Sequence, residues 1–595
     1  MQEVWDLESI FPGGSSSPAF ATFLDEMATA FDAVETRPLP EKIVRDTGEG
    51  EGEGNTAVWV ALLLQLYDLN ERMMHASAFI NCLLAANTRD DKALELMGQR
   101  EQLSGRLGTI WKRTSAKLAA QDEADWQALL AHPQLAPNAF HLNEQRDEAR
   151  RLMPPEMEAL ATELATDGYH TWGNLYNFIV GQQQLEFEGD TLSLGQLQSK
   201  YMDDPDRATR SAAFAASEER WRELAPTLAQ ALNNQAGFRQ TLYKWRGWTS
   251  ILDEPLANNR LTRDTLDTMW HVINSKSGKL KAYFAAKANL LGVEKLAWYD
   301  LWAPVGNTTR QFAYADAAEF VVDSIRPFHP AIAEFCRHAI DSHWVEAEDR
   351  PHKRMGAFCT RFPLNKEPRV FMTFNGSFNG LRTLAHELGH GYHGWVLNDM
   401  SVGAQMYTMS VAETASTFNE MIVKDASVKA AETRDEKLSL LGSKLDDAAS
   451  YLMNINARYQ FELAFFEQRA KRQVTVDELN ALMETAQKSA YQDGLGEYHP
   501  LFWASKLHFY ITRAPFYNFP YTFGYLFSNG VYAQALAEGE SFRARYDALL
   551  RDTGSMTTEQ LARKHLGVDL QQPEFWTTAV DRILADVDEF TAIAN

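Results

Sequence analysis

The sequence predicts a mainly α-helical protein with one small patch of β-structure beside its functional helix. Three observations carry that expectation. Apolar residues recur at three- and four-residue spacing over many turns in the stretches 61–86, 93–121, 203–221 and 437–469. Alternating, strand-like runs are few; the clearest are 184–194 and 368–374, where Val370, Met372 and Phe374 alternate with Phe371 and Thr373. Helix punctuation agrees, since Asp204-Pro205-Asp206 offers an acidic cap and a first-turn proline for the third helical stretch.

Composition narrows the class. The 595-residue chain is 45% hydrophobic and 23% charged, enough apolar material for a large core. A net charge of −23, from 80 acidic and 57 basic residues, disfavours the phosphate backbone of nucleic acid as a partner. The three cysteines form no C-x-x-C pair, which fits a reducing compartment and no disulfide framework. Residues 1–11 are acidic and mixed, unlike a secretory signal. The apolar run 58–66 is about half of what a membrane span needs. A soluble, cytoplasmic protein with no membrane partner is therefore expected. The alternating Gly and Glu of 48–54 read as an exposed loop. A boundary is expected near Gly189-Asp190, where helical periodicity gives way to strand-like residues, dividing the chain into regions 1–190 and 191–595.

The chemistry is concentrated in His386-Glu387-Leu388-Gly389-His390, an H-E-x-x-H pattern. Two histidines four residues apart on a helix lie about 40° apart around its axis, so both imidazoles reach one Zn²⁺. Glu387 sits about 100° round from His386, beside the ion, where a base for the water that the metal activates belongs. Leu381, Leu384, Ala385 and Leu388 occupy the opposite side, giving the helix a core face and a histidine face. Gly389 and Gly391 each cost roughly 1 kcal/mol of helix stability relative to Ala, which makes sense where another backbone or a substrate approaches closely. His393 lies about 10.5 Å along the axis from His386, too far to share the ion; a supporting or substrate contact suits it better.

A catalytic zinc needs a third protein ligand. The stretch 410–425 reads as a second helix with Val411, Ala415, Phe418 and Ile422 as its apolar stripe. Glu413 and Glu420 share another face, so either could complete the site while the other orients a ligand histidine.

With H-E-L-G-H-G-Y-H at 386–393 and V-A-E-T-A-S-T-F-N-E at 411–420, the chain resembles the oligoendopeptidase F group of the thimet-oligopeptidase-like zinc peptidases. W-D-L-E-S-I-F-P at 5–12, F-M-T-F-N-G-S at 371–377 and the aromatic block His508–Phe527 are similar to that group as well. The resemblance implies a large helical shell around a deep substrate channel, with one zinc ion at its floor held by His386, His390 and Glu413. It also implies a catalytic domain over 191–595 and cleavage of internal bonds in short, unfolded peptides.

In the aromatic block, Tyr517, Tyr521 and Tyr525 recur every four residues, and Asn518 is placed to cap a helix carrying Pro520 in its first turn. A tyrosine hydroxyl, Tyr525 first among them, is expected to steady the oxyanion of the tetrahedral intermediate, and His508 to hold a substrate carbonyl or the same oxyanion. The strand near Val370 is expected to offer its edge to an extended peptide. Two rival readings are a zinc carboxypeptidase and a non-catalytic helical peptide-binding protein.

Overall fold

The structure, a computed structural model, describes residues 2–44, 54–306 and 310–594. Apart from Gly54, the Gly-Glu stretch expected as an exposed loop lies outside the described residues. The described residues are mainly helical, with one two-stranded and one three-stranded sheet. None of their helices is long and apolar enough to cross a membrane.

The chain forms two compact units, each built from three separate segments. The first comprises Met1–Leu152, Arg310–Val423 and Gln534–Leu566. Its centre is the helix Thr56–Ala86, buried along its whole length through Trp59, Leu62, Leu66, Leu69 and Phe79. The amphipathic helix Asp91–Ala119 packs against it and is capped by Asp90, whose carboxylate accepts the Ala93 N–H at 2.9 Å. The same core receives Phe362 and Phe371 from the three-stranded sheet. In that sheet Glu367–Phe371 is the central strand, parallel to Val345–Glu346 and antiparallel to Phe358–Phe362. Both its edges are taken, so it cannot receive a peptide by strand addition as expected; Phe358–Phe362 is the outer strand. The expected strand 368–374 also stops at Phe371.

The second unit comprises Met153–Thr309, Lys424–Ala533 and Gly567–Asn595. The strand-like residues after 184 form a hairpin, Gln184–Phe187 with Asp190–Ser193. Glu188 and Gly189, at φ 52° and 91°, supply its tight turn, and only a glycine-like position accepts the second value easily. The long helix Arg207–Trp245 is capped by Asp206, whose side chain accepts from the Thr209 N–H; Pro205 lies before the cap and not in the first turn. The periodic stretch 437–469 is one helical run, Arg434–Ala449 and Ile455–Arg469, joined by a π-turn at Ser450–Asn454. Thr522 Oγ donates to the Tyr451 carbonyl within that turn at 2.6 Å.

Candidate metal centre

The H-E-x-x-H residues lie on the helix Phe378–Val396, in the first unit. Ser377 caps it by accepting the Gly380 N–H at 3.1 Å. Leu381, Leu384, Ala385 and Leu388 are fully buried, as the core face requires. The glycine in the motif has a specific cause: a Cβ on Gly389 would lie 2.5 Å from the Ala415 carbonyl oxygen and 2.6 Å from Ser416 Cα. Backbone thus meets backbone, and this contact brings the residues after Glu413 against the histidine helix. At Gly391 the neighbour is the Phe335 ring, 3.0 Å from a built Cβ.

The second helix differs from expectation. It is not continuous over 410–425: a short turn, Met409–Ala412, ends at Glu413, and Thr414–Ala430 begins after it. Glu413 has φ −84° and ψ 3°, and its carbonyl accepts the Thr417 N–H at 3.0 Å, so it is the N-cap of the longer helix. Ser416 Oγ donates to Glu413 Oε2 at 2.7 Å and orients the carboxylate. Neither glutamate is on a solvated face, because Ser416 and Asn419 between them are buried.

Glu413 Oε2 lies 3.3 Å from His386 Nε2 and 3.4 Å from His390 Nε2. Tetrahedral zinc with bonds of about 2.0–2.2 Å places its donor atoms about 3.3–3.6 Å apart, so the three residues fit that ion. Among the described residues this is the only group of three or more His, Cys, Asp or Glu whose ligating atoms gather within 4.8 Å. Glu420 stands on the other side of the ring: its Oε2 lies 2.8 Å from His386 Nδ1, which leaves Nε2 facing Glu413, and Arg382 Nη1 stands 3.6 Å from its Oε1. Glu387 is buried and its Oε2 has no hydrogen-bond partner. Such an orphaned acceptor beside two imidazoles suits a water or substrate proton.

Electrostatics follow from this packing. Burial opposes charge on His386, but hydrogen bonds and charges of Glu413 and Glu420 outweigh it and raise its pKa to about 10. Burial likewise pushes Glu413 up, yet both histidines hold it far below the usual carboxylate range. Burial dominates at Glu387 and raises its carboxyl, with His386 and His390 opposing. His393 is fully buried, stacked on Tyr407 with ring centres 4.2 Å apart, and Nε2 pairs with Thr553 Oγ at 2.9 Å. It supports packing and is closed to substrate.

The late aromatic residues lie in the second unit and separate into two neighbourhoods. Asn518 Oδ1 accepts from Arg458 Nη1 at 2.9 Å and lies 2.6 Å from His508 Nδ1. A guanidinium only donates, so that oxygen is an acceptor. Its 2.6 Å contact fits the His508 tautomer protonated on Nδ1, with a lone pair on Nε2, in preference to a Nδ1 that accepts across the longer 3.5 Å approach of Arg458 Nη1. The Asn518 side-chain oxygen, which the sequence offered as a cap for the helix Phe519–Glu538, is thus occupied by Arg458 and His508. The Tyr521 hydroxyl donates to the Tyr517 hydroxyl at 3.0 Å, and the Tyr517 ring meets His508 edge-on at 5.0 Å. Tyr525 instead stacks on Tyr451 at 4.3 Å, and burial raises its hydroxyl well above the ordinary value. Sequence reasoning missed Ser416, Arg458 and the positioning role of Asn518. Only Ser416, one turn after Glu413, left a readable signal.

Comparison with known proteins agrees with this geometry. The profile of peptidase family M3 matches residues 200–582, more than half of the chain, and the chain belongs to that family. More narrowly, the Oligopeptidase F profile matches residues 117–184. Oligopeptidase PepF of Bacillus subtilis is 24% identical over 379 residues, covering 63% of this chain and 56% of the relative. An oligoendopeptidase F homolog of Lactococcus lactis is 24% identical over 64% of each chain, and one of Borreliella burgdorferi is 21% identical over 84% of this chain and 86% of its own. The alignments thus span less than two thirds of the first two relatives. Among solved structures, a Chlamydophila abortus protein superposes with TM-score 0.83 at 19% identity, covering 99% of this chain and 98% of its own. Oligoendopeptidase-F from Enterococcus faecium gives 0.67 at 18% identity, covering 97% and 98%. These two likenesses concern the fold.

Proposed function

We propose that the protein is a zinc-dependent endopeptidase that hydrolyses internal bonds of short, unfolded oligopeptides, with Glu387 as general base. One observation carries the reading: His386, His390 and Glu413 converge with 3.3 and 3.4 Å between donor atoms, beside the unpaired carboxylate oxygen of Glu387. A zinc ion held there would polarise the scissile carbonyl and acidify a water molecule. Glu387 accepts that water's proton and returns it to the leaving amine; burial raises its carboxyl above the ordinary carboxylate value, in the direction that favours taking up a proton. Glu420 fixes the ring of His386, and Ser416 fixes the carboxylate of Glu413.

By the resemblance, the late aromatic block acts on the same substrate. We assign the oxyanion donor to Tyr517, whose oxygen accepts the Tyr521 hydrogen bond and whose own O–H is left to donate. His508 presents a lone pair at Nε2, so it accepts a peptide N–H; the carbonyl contact expected of it would need its protonated form. Tyr525, stacked on Tyr451, serves packing in this reading. The gap between the family matches 117–184 and 200–582 supports the division into 1–190 and a catalytic region 191–595. Three cysteines without a disulfide support a reducing, cytoplasmic setting.

Metal analysis and mass spectrometry of products from a peptide of about ten residues test the proposal. Internal cuts in zinc-replete protein are expected. A ladder of single residues lost from the C-terminus would make it a carboxypeptidase, and zinc binding without cleavage would make it a binding protein. Size selection is tested by placing the same sequence in a surface loop of a stable host. The free peptide should be cut and the host spared, because threading a folded domain requires unfolding it, at roughly 5–15 kcal/mol.

A further inference from the structure

We infer that Arg458 and Lys506, in the second unit, form a subsite for a carboxylate of the peptide substrate, deepening the peptidase reading on which it rests. Cations withdrawn from water are normally matched by anions, because the lost hydration must be replaced. The second unit obeys this elsewhere: Lys287 meets Asp446 at 2.7 Å, Arg210 meets Asp300 at 2.9 Å and Lys424 meets Asp447 at 2.5 Å. Arg458 and Lys506 depart from the pattern. Both are half-buried, and neither has a carboxylate within 4.0 Å among the described residues.

The partners of Arg458 are neutral. Its Nε donates to Asn454 Oδ1 at 2.8 Å, its Nη1 to Asn518 Oδ1 at 2.9 Å, and the guanidinium lies 5.2 Å from the Phe502 ring centre. Glu462, one turn further along the same helix, does not supply the missing charge. Burial raises its pKa to about 8, so it holds its proton at neutral pH. Lys506 precedes His508 by two residues. Burial and then the Arg458 charge lower Lys506 to about 7, and burial lowers Arg458 to about 10 against the opposing pull of Tyr491, Glu462 and Tyr521. In a chain with 80 acidic and 57 basic residues, two half-buried cations whose charges reach each other, with no carboxylate within 4.0 Å of either among the described residues, are not explained by a shortage of acidic side chains. Beside them stand His508 Nε2, free to accept a peptide N–H, and the hydroxyls of Tyr517 and Tyr521. Two cations, a backbone N–H acceptor and hydroxyl donors together recognise a peptide segment that ends in, or carries, a carboxylate.

The test uses full-length, zinc-loaded Glu387→Gln protein as a binding trap, so that affinity is read without turnover. Its probes are one peptide as the C-terminal acid and as the amide, and a second pair with an internal Glu or Gln. Roughly ten- to a hundredfold tighter binding is expected for the carboxylate-bearing member of one pair, as charge-assisted hydrogen bonds typically give. Preference in the first pair identifies the C-terminus, and preference in the second an acidic side chain. Adding Lys506→Met should bring the acid's affinity down to that of the neutral probe, and Lys506→Arg should restore most of it. Melting curves and the neutral probe report on folding. Equal binding within both pairs, or a preference that survives Lys506→Met, overturns the subsite. Wild-type cleavage kinetics keep the two ideas apart: cleavage without any carboxylate preference removes the subsite alone, and preference without cleavage removes the peptidase reading alone.

Discussion

The histidine helix of the first unit and the aromatic block of the second both offer closely spaced polar side chains, yet they hold them by different means. Around His386 two helices touch backbone to backbone at Gly389, and each functional side chain has a fixed neighbour within its own unit. Around His508 the fixing groups come from afar in the chain: Arg458 lies 50 residues before it and places it through Asn518. Tyr521 and Tyr525, one turn apart on the same helix, then enter different surroundings. Helical spacing alone sets geometry where the helix is the scaffold. Where a side chain is aimed by a distant partner, spacing says only which residues could act.

The largest effects should come from the first region. Glu387→Gln is expected to retain zinc and the fold while losing about 10²–10⁴-fold in turnover, since an amide cannot accept the water's proton. Metal content and kinetics on the same preparation check this; near-normal turnover at full zinc occupancy would remove Glu387 from its role. In the second region Tyr517→Phe should cost about 10²–10³-fold in kcat, against a much smaller loss for Tyr525→Phe. If Tyr525→Phe proves the more damaging, the two neighbourhoods exchange roles and the contrast drawn above fails.

Next in size is the division of labour between the two glutamates. Glu413→Ala should abolish tight zinc binding. Glu420→Ala, which removes only the partner of His386 Nδ1, should weaken it about 10–100-fold. Competition titration against a chelator of known affinity reads both, and equal losses would make Glu420 a ligand.

Much of the first region was legible in the sequence. The H-E-x-x-H spacing placed both imidazoles, the apolar face fixed which way they point, and the costly Gly389 signalled the close approach that is present at Ala415. What could not be read was the break at Glu413, because the apolar stripe of 411–422 runs through it and an N-cap glutamate leaves no strong local signature. The strand at Glu367–Phe371 was legible as a strand, but not its central position, since that depends on Val345 and Phe358 from elsewhere in the chain. In the second region Asn518 matched a capping pattern and was claimed instead by Arg458 and His508. Local propensity offered the cap; a charged donor made a stronger demand on the same oxygen.

The smallest effect is also the one that sets the two regions against each other most directly, through stability as a function of pH. In the metal-free protein His386 has a pKa raised to about 10. Its contribution is fully present below the unfolded value near 6.5 and is lost as pH rises toward 10. His508 has the opposite sign: burial first, then Lys506 and Arg458, lower it to about 4. Between about 4 and 6.5 the unfolded chain binds a proton at this position that the folded chain refuses, so stability falls as the solution is acidified through that window. Allowing for its partial exposure, His508 should account for about 1–2 kcal/mol of that loss. Denaturant titrations of chelator-treated protein at about pH 5, 7 and 9 should show His508→Gln less acid-sensitive than the parent between pH 7 and pH 5, with His386→Gln acting mainly on the loss between pH 7 and pH 9. A parent whose acid sensitivity is untouched by His508→Gln would mean that the imidazole is protonated when folded. Its Nε2 would then be a donor, and His508 would return to the oxyanion role that the sequence first suggested.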